Sequence, residues 1–599
     1  MGLLGFAAAL QRYGALSSLS GDAVVIDGPA LVHRISEYCT KRRPSSSGFA
    51  CLPPYSLLGS MVIGWLNELK SHNVNVRKIY FDGYLPPSKW DTRKSRLAKQ
   101  SYILNELRSS NPLGSATTPT DAFSHIQLHV HNFDDAFNAH NKTPSPPFLI
   151  PAVLEALKSD KNWGPLVSVV PGEADVFCAE DVRQNGGTLL TTDSDLLIQD
   201  LGLKGNVAFL WGLTLDPPPA NEIKALKMSF HDANQRLGLT NLGGLPRVAF
   251  ESRKGNKHGF PRAFDAALRN AKENRGDVLH SPEYKDFMKE FELKEYLPSH
   301  HPVLGLLSNL DPRISEFVIQ ALLFNDKTGL EDKSLRGPES FSIFLPVLFE
   351  DHYNKSAWND STKTRQLGYC ILRYLNSQNV TRIIEYRIIE SLASKTGRQI
   401  EIPDSKLLLA ACTRLITLLE TLAESFSATN MRWLAFAVYW DMECSSSEGR
   451  KAISAELIEE ANQSQPNLQN YSWDLMHFTA QFQAHLYSLR IVKQVLDVVL
   501  VICQDIPASL QRLHNHLTSL PPIAEWPTVE SMLSSLSEFD KMGGLDTIAD
   551  MLGVPRGRME KEPTMDQTLQ KSKRVKKQDK STKPPSINRY SILSQIESR

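Results

Sequence analysis

Pro171-Gly172-Glu173-Ala174-Asp175 and, one helix later, Thr191-Thr192-Asp193-Ser194-Asp195 decide how this chain folds. Ahead of the first acid pair, Leu166-Val167-Ser168-Val169-Val170 is a short apolar run ended by Pro171-Gly172. Ala174, Phe177, Cys178 and Val182 then recur at helical spacing, and Asn185-Gly186-Gly187 supplies the glycine that stops a helix. Thr188-Leu189-Leu190-Thr191 restarts a strand and delivers Asp193 and Asp195 at its end. Strand, helix and strand joined this closely predict a right-handed βαβ unit with parallel strands. Both acid pairs are therefore expected at the carboxyl ends of neighbouring strands, where open α/β sheets carry their sites.

Carboxylates brought that close repel one another, and the usual counter-charge for an all-oxygen cluster is a hard divalent ion, Mg²⁺ or Mn²⁺. Solvated loop acids are the plain alternative, and the upstream sequence bears on the choice. Ala23-Val24-Val25-Ile26 reads as a strand ending at Asp27-Gly28, and Val76–Phe81 as another ending at Asp82-Gly83. Asp27, Asp82, Glu173, Asp175, Asp193 and Asp195 are thus six acids on four predicted strand ends, a pattern that favours a metal site. Helices are expected over Gly2–Leu10, Ala30–Tyr38 and Pro54–Leu69.

After Asp82, Pro86-Pro87 opens a further helix on which Lys89, Arg93 and Arg96 share a face at i, i+4 and i+7. Cations beside a metal-binding acid suit a phosphodiester substrate, because they hold the backbone and offset charge growing on phosphoryl oxygens. Arg93, Lys94 and Lys99 are the expected nucleic-acid contacts of that helix, with a solvated charged face as the alternative.

Met1-Gly2-x-x-Gly5, Val-Val-Ile-Asp27-Gly, Tyr-Phe-Asp82-Gly-x-x-Pro-Pro-x-Lys89, Pro-Gly-Glu173-Ala-Asp175 and Thr-Asp193-Ser-Asp195 resemble the flap endonuclease/XPG family of structure-specific nucleases. The resemblance covers roughly residues 1–210 and is nearest to the Asteroid branch. Leu345-Pro346-x-Leu348-x-Glu350-Asp351 with Trp358, Arg365 and Tyr369 is similar to fungal Asteroid-domain proteins.

The resemblance implies a PIN-like α/β nuclease fold and phosphodiester hydrolysis with two Mg²⁺ or Mn²⁺ ions. It implies that Asp27, Asp82, Glu173 and Asp175 gather around one ion, with Asp193 and Asp195 reaching the second. Lys89 and Arg96 stand where the family places its catalytic cations, with one extra residue before the prolines. His33 stands where the family carries a base-stacking aromatic, and a helix-surface histidine is the alternative. The implied substrate is DNA with single-stranded, flap or overhanging ends, and the implied setting is DNA repair in the nucleus, otherwise the cytoplasm.

Two departures stand out. Leu237–Pro261 lacks the Gly-x-Gly hairpin that grips duplex DNA, and only Glu251 offers a replacement for the family's seventh carboxylate, so weakened activity is expected. The loops Ser109–Asp121 and Asn141–Phe148 stand where a long arch is expected. A PIN-like scaffold without turnover, serving DNA repair or signalling, is the competing reading.

The 599 residues carry 66 basic and 66 acidic side chains, so nucleic-acid contact must come from local patches. Residues 561–599 hold ten Lys/Arg against four acids, leaving the rest acidic. Seven scattered cysteines without a Cys-x-x-Cys indicate neither a disulfide framework nor a zinc site, which fits a reducing compartment. The first residues match neither a signal peptide nor a myristoylation motif, and the most apolar later runs are interrupted by charges, so no membrane span is expected.

A PIN-like domain is assigned to 1–262, an Asteroid-type helical region to 263–557 and a disordered basic tail to 558–599. Helices are expected over Ala263–Asn274, Pro282–Phe291, Ile314–Leu323, Thr362–Leu375, Val380–Leu392, Ser405–Phe426, Asn430–Met442 and Leu475–Cys503. That region reads as a scaffold or partner-binding domain, with DNA-repair proteins as expected partners of it or of the tail. Lys571–Lys577 fits a nuclear-import or nucleic-acid patch, or a solubilising tail.

Overall fold

The computed structural model describes residues 6–43, 48–117, 122–133, 144–254, 260–273, 278–324, 341–375, 381–387, 397–403, 405–463 and 470–554. The Met1–Gly5 motif, part of each long loop and the basic tail lie outside the described residues.

The fold is α/β, as the acid-bearing strands imply, followed by a large helical region. Strand β1 (Ala15–Ser18), which pairs antiparallel with Ile223–Lys227 in a separate small sheet, turns into β2 (Ala23–Asp27), and α1 (Gly28–Lys41) and α2 (Tyr55–Ser71) connect β2 to β3 (Asn75–Asp82). A long helix, α3 (Trp90–Ser110), a two-residue strand, β4 (Ser115–Ala116), and α4 (Leu149–Ser159) precede β5 (Val167–Val170). Helix α5 (Ala174–Asn185) then connects to β6 (Gly187–Thr191) and β7 (Gly205–Phe209). Strands β5, β3, β2, β6 and β7 form one parallel sheet in that order.

Both faces of that sheet are covered, so its strands read as continuous apolar runs. Val24 and Ile26 point to one core with α1, α2 and α4, while Val25 points to the other with Cys178 and Val182 of α5. The first core continues into helices beyond residue 300, among them Trp473–Ile502. Packing therefore joins the sheet to the helical region rather than leaving the two side by side.

Two expectations need correction. The strands carrying the acid pairs, β5 and β6, are not neighbours: β3 and β2 lie between them. Three strand spacings set them about 14 Å apart. Helix α5, with 12 residues, runs about 18 Å and crosses that gap. The second correction concerns Val380–Leu392, expected to be helical. Its described part is a strand, Arg382–Tyr386, pairing with Phe341–Phe344 and Arg398–Glu401 in a separate three-stranded sheet. Ile383 is buried and the neighbouring Arg382 exposed, the alternation of a half-buried strand.

The other expected helices of the C-terminal region appear with shifted ends, for example Pro312–Phe324, Thr362–Ile371 and Trp473–Ile502. Among the described residues no helix is long and apolar enough to cross a membrane.

Candidate metal centre

The order β5–β3–β2–β6 lines up four adjacent carboxyl ends, and the six acids of the sequence reading lie on or just after them. Asp27 is the last residue of β2 and caps α1, accepting from the Ala30 amide at 3.2 Å. Asp82 ends β3. Glu173 precedes α5 and Asp175 lies in its first turn. Asp193 caps the short turn Ser194–Ile198, accepting from the Asp195 amide at 3.0 Å.

Two local devices draw these ends together. The Gly83 amide donates to the Gly172 carbonyl at 3.2 Å, and a Cβ on Gly83 would stand 2.2 Å from the Val170 carbonyl oxygen. Only glycine lets β3 close against the Pro171-Gly172 turn, and the Ala174 amide then donates to Asp82 at 2.7 Å. On the other side, the Thr191 hydroxyl donates to Asp27 at 2.7 Å and accepts from the Asp193 amide at 2.9 Å. Thr191 is fully buried and links Asp27 to Asp193.

The electrostatics follow from this crowding. Burial, with Asp82 and Asp193 adding to it against the hydrogen bonds from Thr191 and Ala30, pushes Asp27 up to about 7. Burial also raises Asp82, against the Ala174 amide and the cations Arg93, Arg96 and Lys89. Asp175 is held well above the usual carboxylate range by burial and by the charges of Glu173, Asp82 and Asp27. Glu173 is raised by burial although Lys89 opposes the shift. Asp27, Asp82, Glu173 and Asp175 thus feel one another, and Asp193 joins them through Asp27.

Oxygen-only donors with surplus negative charge have the chemistry of a Mg²⁺ or Mn²⁺ site. As arranged here, however, no group of three Asp, Glu, His or Cys side chains among the described residues could hold an ion. Each carboxylate is drawn to a nearby donor instead: Asp27 to Thr191 and Ala30, Asp82 to Ala174, Asp175 to the Val176 amide, Glu173 to Lys89.

The cations divide into two kinds. Lys89 stands 3.2 Å from Glu173; burial disfavours its charge, but Glu173 and Asp175 outweigh this and its pKa is raised. Arg96 and Lys99 are exposed on α3. Arg93, an expected nucleic-acid contact, instead grips both carboxylate oxygens of Glu316 at 2.6 Å, with its guanidinium 4.1 Å from the Phe344 ring. Lys94 lies 3.6 Å from Asp91 and 5.0 Å from the Tyr386 ring. Both therefore have partners inside the protein, because α3 packs against the second sheet.

His33 presents its ring to solvent from α1, while the protein mass around the cleft, followed by Arg96 and Arg313, pushes its pKa down to about 4. Glu251 is taken up elsewhere: Arg247, one helical turn back and almost fully buried, holds it at 2.7 Å. Of the histidines at 125–131, His129 meets Glu68 of α2 at 3.3 Å and His125 the Arg42 carbonyl at 3.1 Å.

Nothing in the sequence marks Thr191, Arg313 or Glu316 as site residues. Thr191 hides in a strand as an ordinary β-branched residue. Glu316 meets Arg93 across 223 positions, a separation at which no spacing rule operates.

No curated protein matches the chain. A family model described as XPG domain containing matches residues 145–402, a stretch holding Glu173, Asp175, Asp193, Asp195, Arg313 and Glu316, and there the chain is similar to XPG-like nucleases.

Proposed function

We propose that this chain is a divalent-metal-dependent, structure-specific DNA nuclease of the Asteroid type, hydrolysing phosphodiester bonds by a two-metal mechanism in DNA repair. The observation that carries the reading is the mutual electrostatic contact of Asp27, Asp82, Glu173 and Asp175 at the carboxyl ends of adjoining parallel strands, with Lys89 and Arg96 alongside. In this reading those four acids hold one Mg²⁺ or Mn²⁺ ion, and Asp193 and Asp195 reach a second. Such ions, when bound, supply a water of lowered pKa and a clamp for the scissile phosphate.

The chain's own residues do the rest. Lys89, kept charged by Glu173 and Asp175, offsets negative charge developing on the phosphoryl oxygens, and Arg96 holds the strand at the exposed edge of α3. Thr191 fixes the Asp27 carboxylate through its hydroxyl and so keeps one donor oriented. His33 and Lys99 extend the interface toward flap, overhanging or single-stranded DNA. The helical region and the Lys571–Lys577 tail dock DNA-repair proteins, and the tail directs the chain to the nucleus.

A scaffold without turnover is the second reading. It is favoured by the absence of a closed three-ligand group among the described residues and by the loss of Glu251 to Arg247. Incubating the full chain with labelled flap, overhang and hairpin DNA and Mn²⁺, beside a D193A/D195A control, separates the two. The nuclease reading expects cleavage that needs metal and is lost in the control. Absence of cleavage on every substrate, or equal cutting by the control, leaves the scaffold.

A further inference from the structure

Helix Pro312–Phe324, far along the chain from the acids, reaches the candidate site with two side chains one turn apart, Arg313 and Glu316. Glu316 is buried and bridges to Arg93 of α3 at 2.6 Å. The bridge fastens the two helices together beside Asp82, whose charge Glu316 also feels. One turn along α3 from Arg93 stands Arg96, exposed and without an ion pair or hydrogen bond among the described residues. One turn back along the other helix from Glu316 stands Arg313, half-buried, with one guanidinium nitrogen 3.4 Å from the Pro147 carbonyl. His33 of α1 lies in the electrostatic reach of both arginines and is exposed to solvent.

Three elements thus bring two guanidinium groups and an imidazole to one place, next to a carboxylate cluster of opposite sign. Guanidinium groups matched to phosphate geometry are the usual recognition device for a phosphodiester backbone. Arg313 is steadied by the Pro147 carbonyl and the buried Tyr487, and it lies within reach of the Glu316 charge; two cations held near each other still repel, and the arrangement gains from an anion between them. We infer that Arg313, with Arg96 and His33, forms a backbone-phosphate subsite for a single strand running past the carboxylate cluster, and that Glu316 is the positioning residue that sets the spacing of the two arginine-bearing helices. The subsite rests on the nuclease reading for the direction of the strand, but its binding can be measured without turnover.

The test is binding of a fluorescein-labelled oligothymidylate and an oligouridylate, each about twenty residues long, to the full chain in Ca²⁺ over a range of salt. R313Q is expected to weaken binding about tenfold and to lower the salt slope by about 0.7, the value for one lost phosphate contact on a single strand. R313K retains the charge but not the fork and is expected to fall between R313Q and the parent. E316Q is expected to weaken binding less, with the salt slope unchanged, since it moves the cations without removing one. Lys363→Ala, on the exposed helical surface, is expected to change nothing. A urea unfolding midpoint equal to the parent's shows that each variant is folded.

Affinity and salt slope unchanged in both R313Q and R313K would overturn the subsite, as would failure of the parent chain to bind either oligomer. Preference between the two oligomers tells whether the backbone belongs to DNA or RNA. Weakened binding by R313Q in a chain that never cleaves leaves the subsite standing while the nuclease reading falls.

Discussion

Two buried carboxylate clusters in this protein have opposite electrostatic characters. In the second sheet, Glu385 is fully buried and meets Arg365 at 2.7 Å, the Tyr369 hydroxyl at 2.8 Å and Arg387 at 3.1 Å. Burial opposes its charge, but Arg365 and its other partners more than compensate, and its pKa is lowered. At the strand ends, burial and like charges act in the same direction, and Asp27 is pushed up to about 7. Among the described residues, Lys89 is in direct contact with that cluster, on Glu173. One cluster is complete within the chain and serves the fold. The other carries surplus negative charge, which a divalent cation would relieve.

The strongest way to break this contrast is to remove the compensating charge from the complete cluster. R365M leaves Glu385 buried with the Tyr369 hydroxyl and, of its two arginines, only Arg387, and is expected to cost about 3–5 kcal/mol in urea unfolding. A loss below about 1 kcal/mol would place Arg365 among the ordinary packing residues.

The pH dependence of stability separates the clusters by sign. Asp27 keeps its proton in the folded chain up to about 7, against 3.8 ordinarily, so between those values the unfolded chain releases a proton the folded one retains. Metal-free stability is therefore expected to fall as pH rises through that window, by on the order of 2–4 kcal/mol from this group. Glu385, lowered from 4.5, acts in the opposite direction: its contribution is present above that value and is lost as the solution is acidified through its folded pKa. Urea midpoints from acid pH, below the ordinary carboxylate range, up to pH 8, with EDTA and then with saturating Mn²⁺, check both. The decline should appear in EDTA and flatten with metal.

The smallest expected effect sharpens the comparison most. D82N removes a charge that repels its neighbours and keeps an acceptor for the Ala174 amide. Metal-free stability is expected to stay level or rise by about 1 kcal/mol. The corresponding loss of Glu385 would be destabilising. A D82N chain that unfolds as readily as R365M would mean that both clusters are structural.

The parts of the fold that could be read from sequence are those in which chemistry and position lie close together in the chain. Asp27-Gly28, Asp82-Gly83 and the two acid pairs each follow their own strand, so the strand ends were legible. Strand order was not, because a crossover helix passes over intervening strands without leaving a trace in the spacing. In the Arg382–Tyr386 strand, Ile383, Ile384 and Tyr386 also suit a helical stripe, and it is the pairing partners at Phe341–Phe344 and Arg398–Glu401 that decide for a strand. Arg93 has the pattern of a ligand contact, since nothing near it in sequence announces Glu316.

The central claim is that the strand-end acids form a site completed by divalent metal. Calorimetric titration of Mn²⁺ into the metal-free full chain at pH 7, in two buffers of different ionisation heat, tests it most directly. The account predicts binding with net release of protons, since Asp27, pushed up to about 7, must ionise, and loss of both signals in D82N and in D193A/D195A. Absence of binding at millimolar Mn²⁺, or binding that those variants leave unchanged, would contradict it.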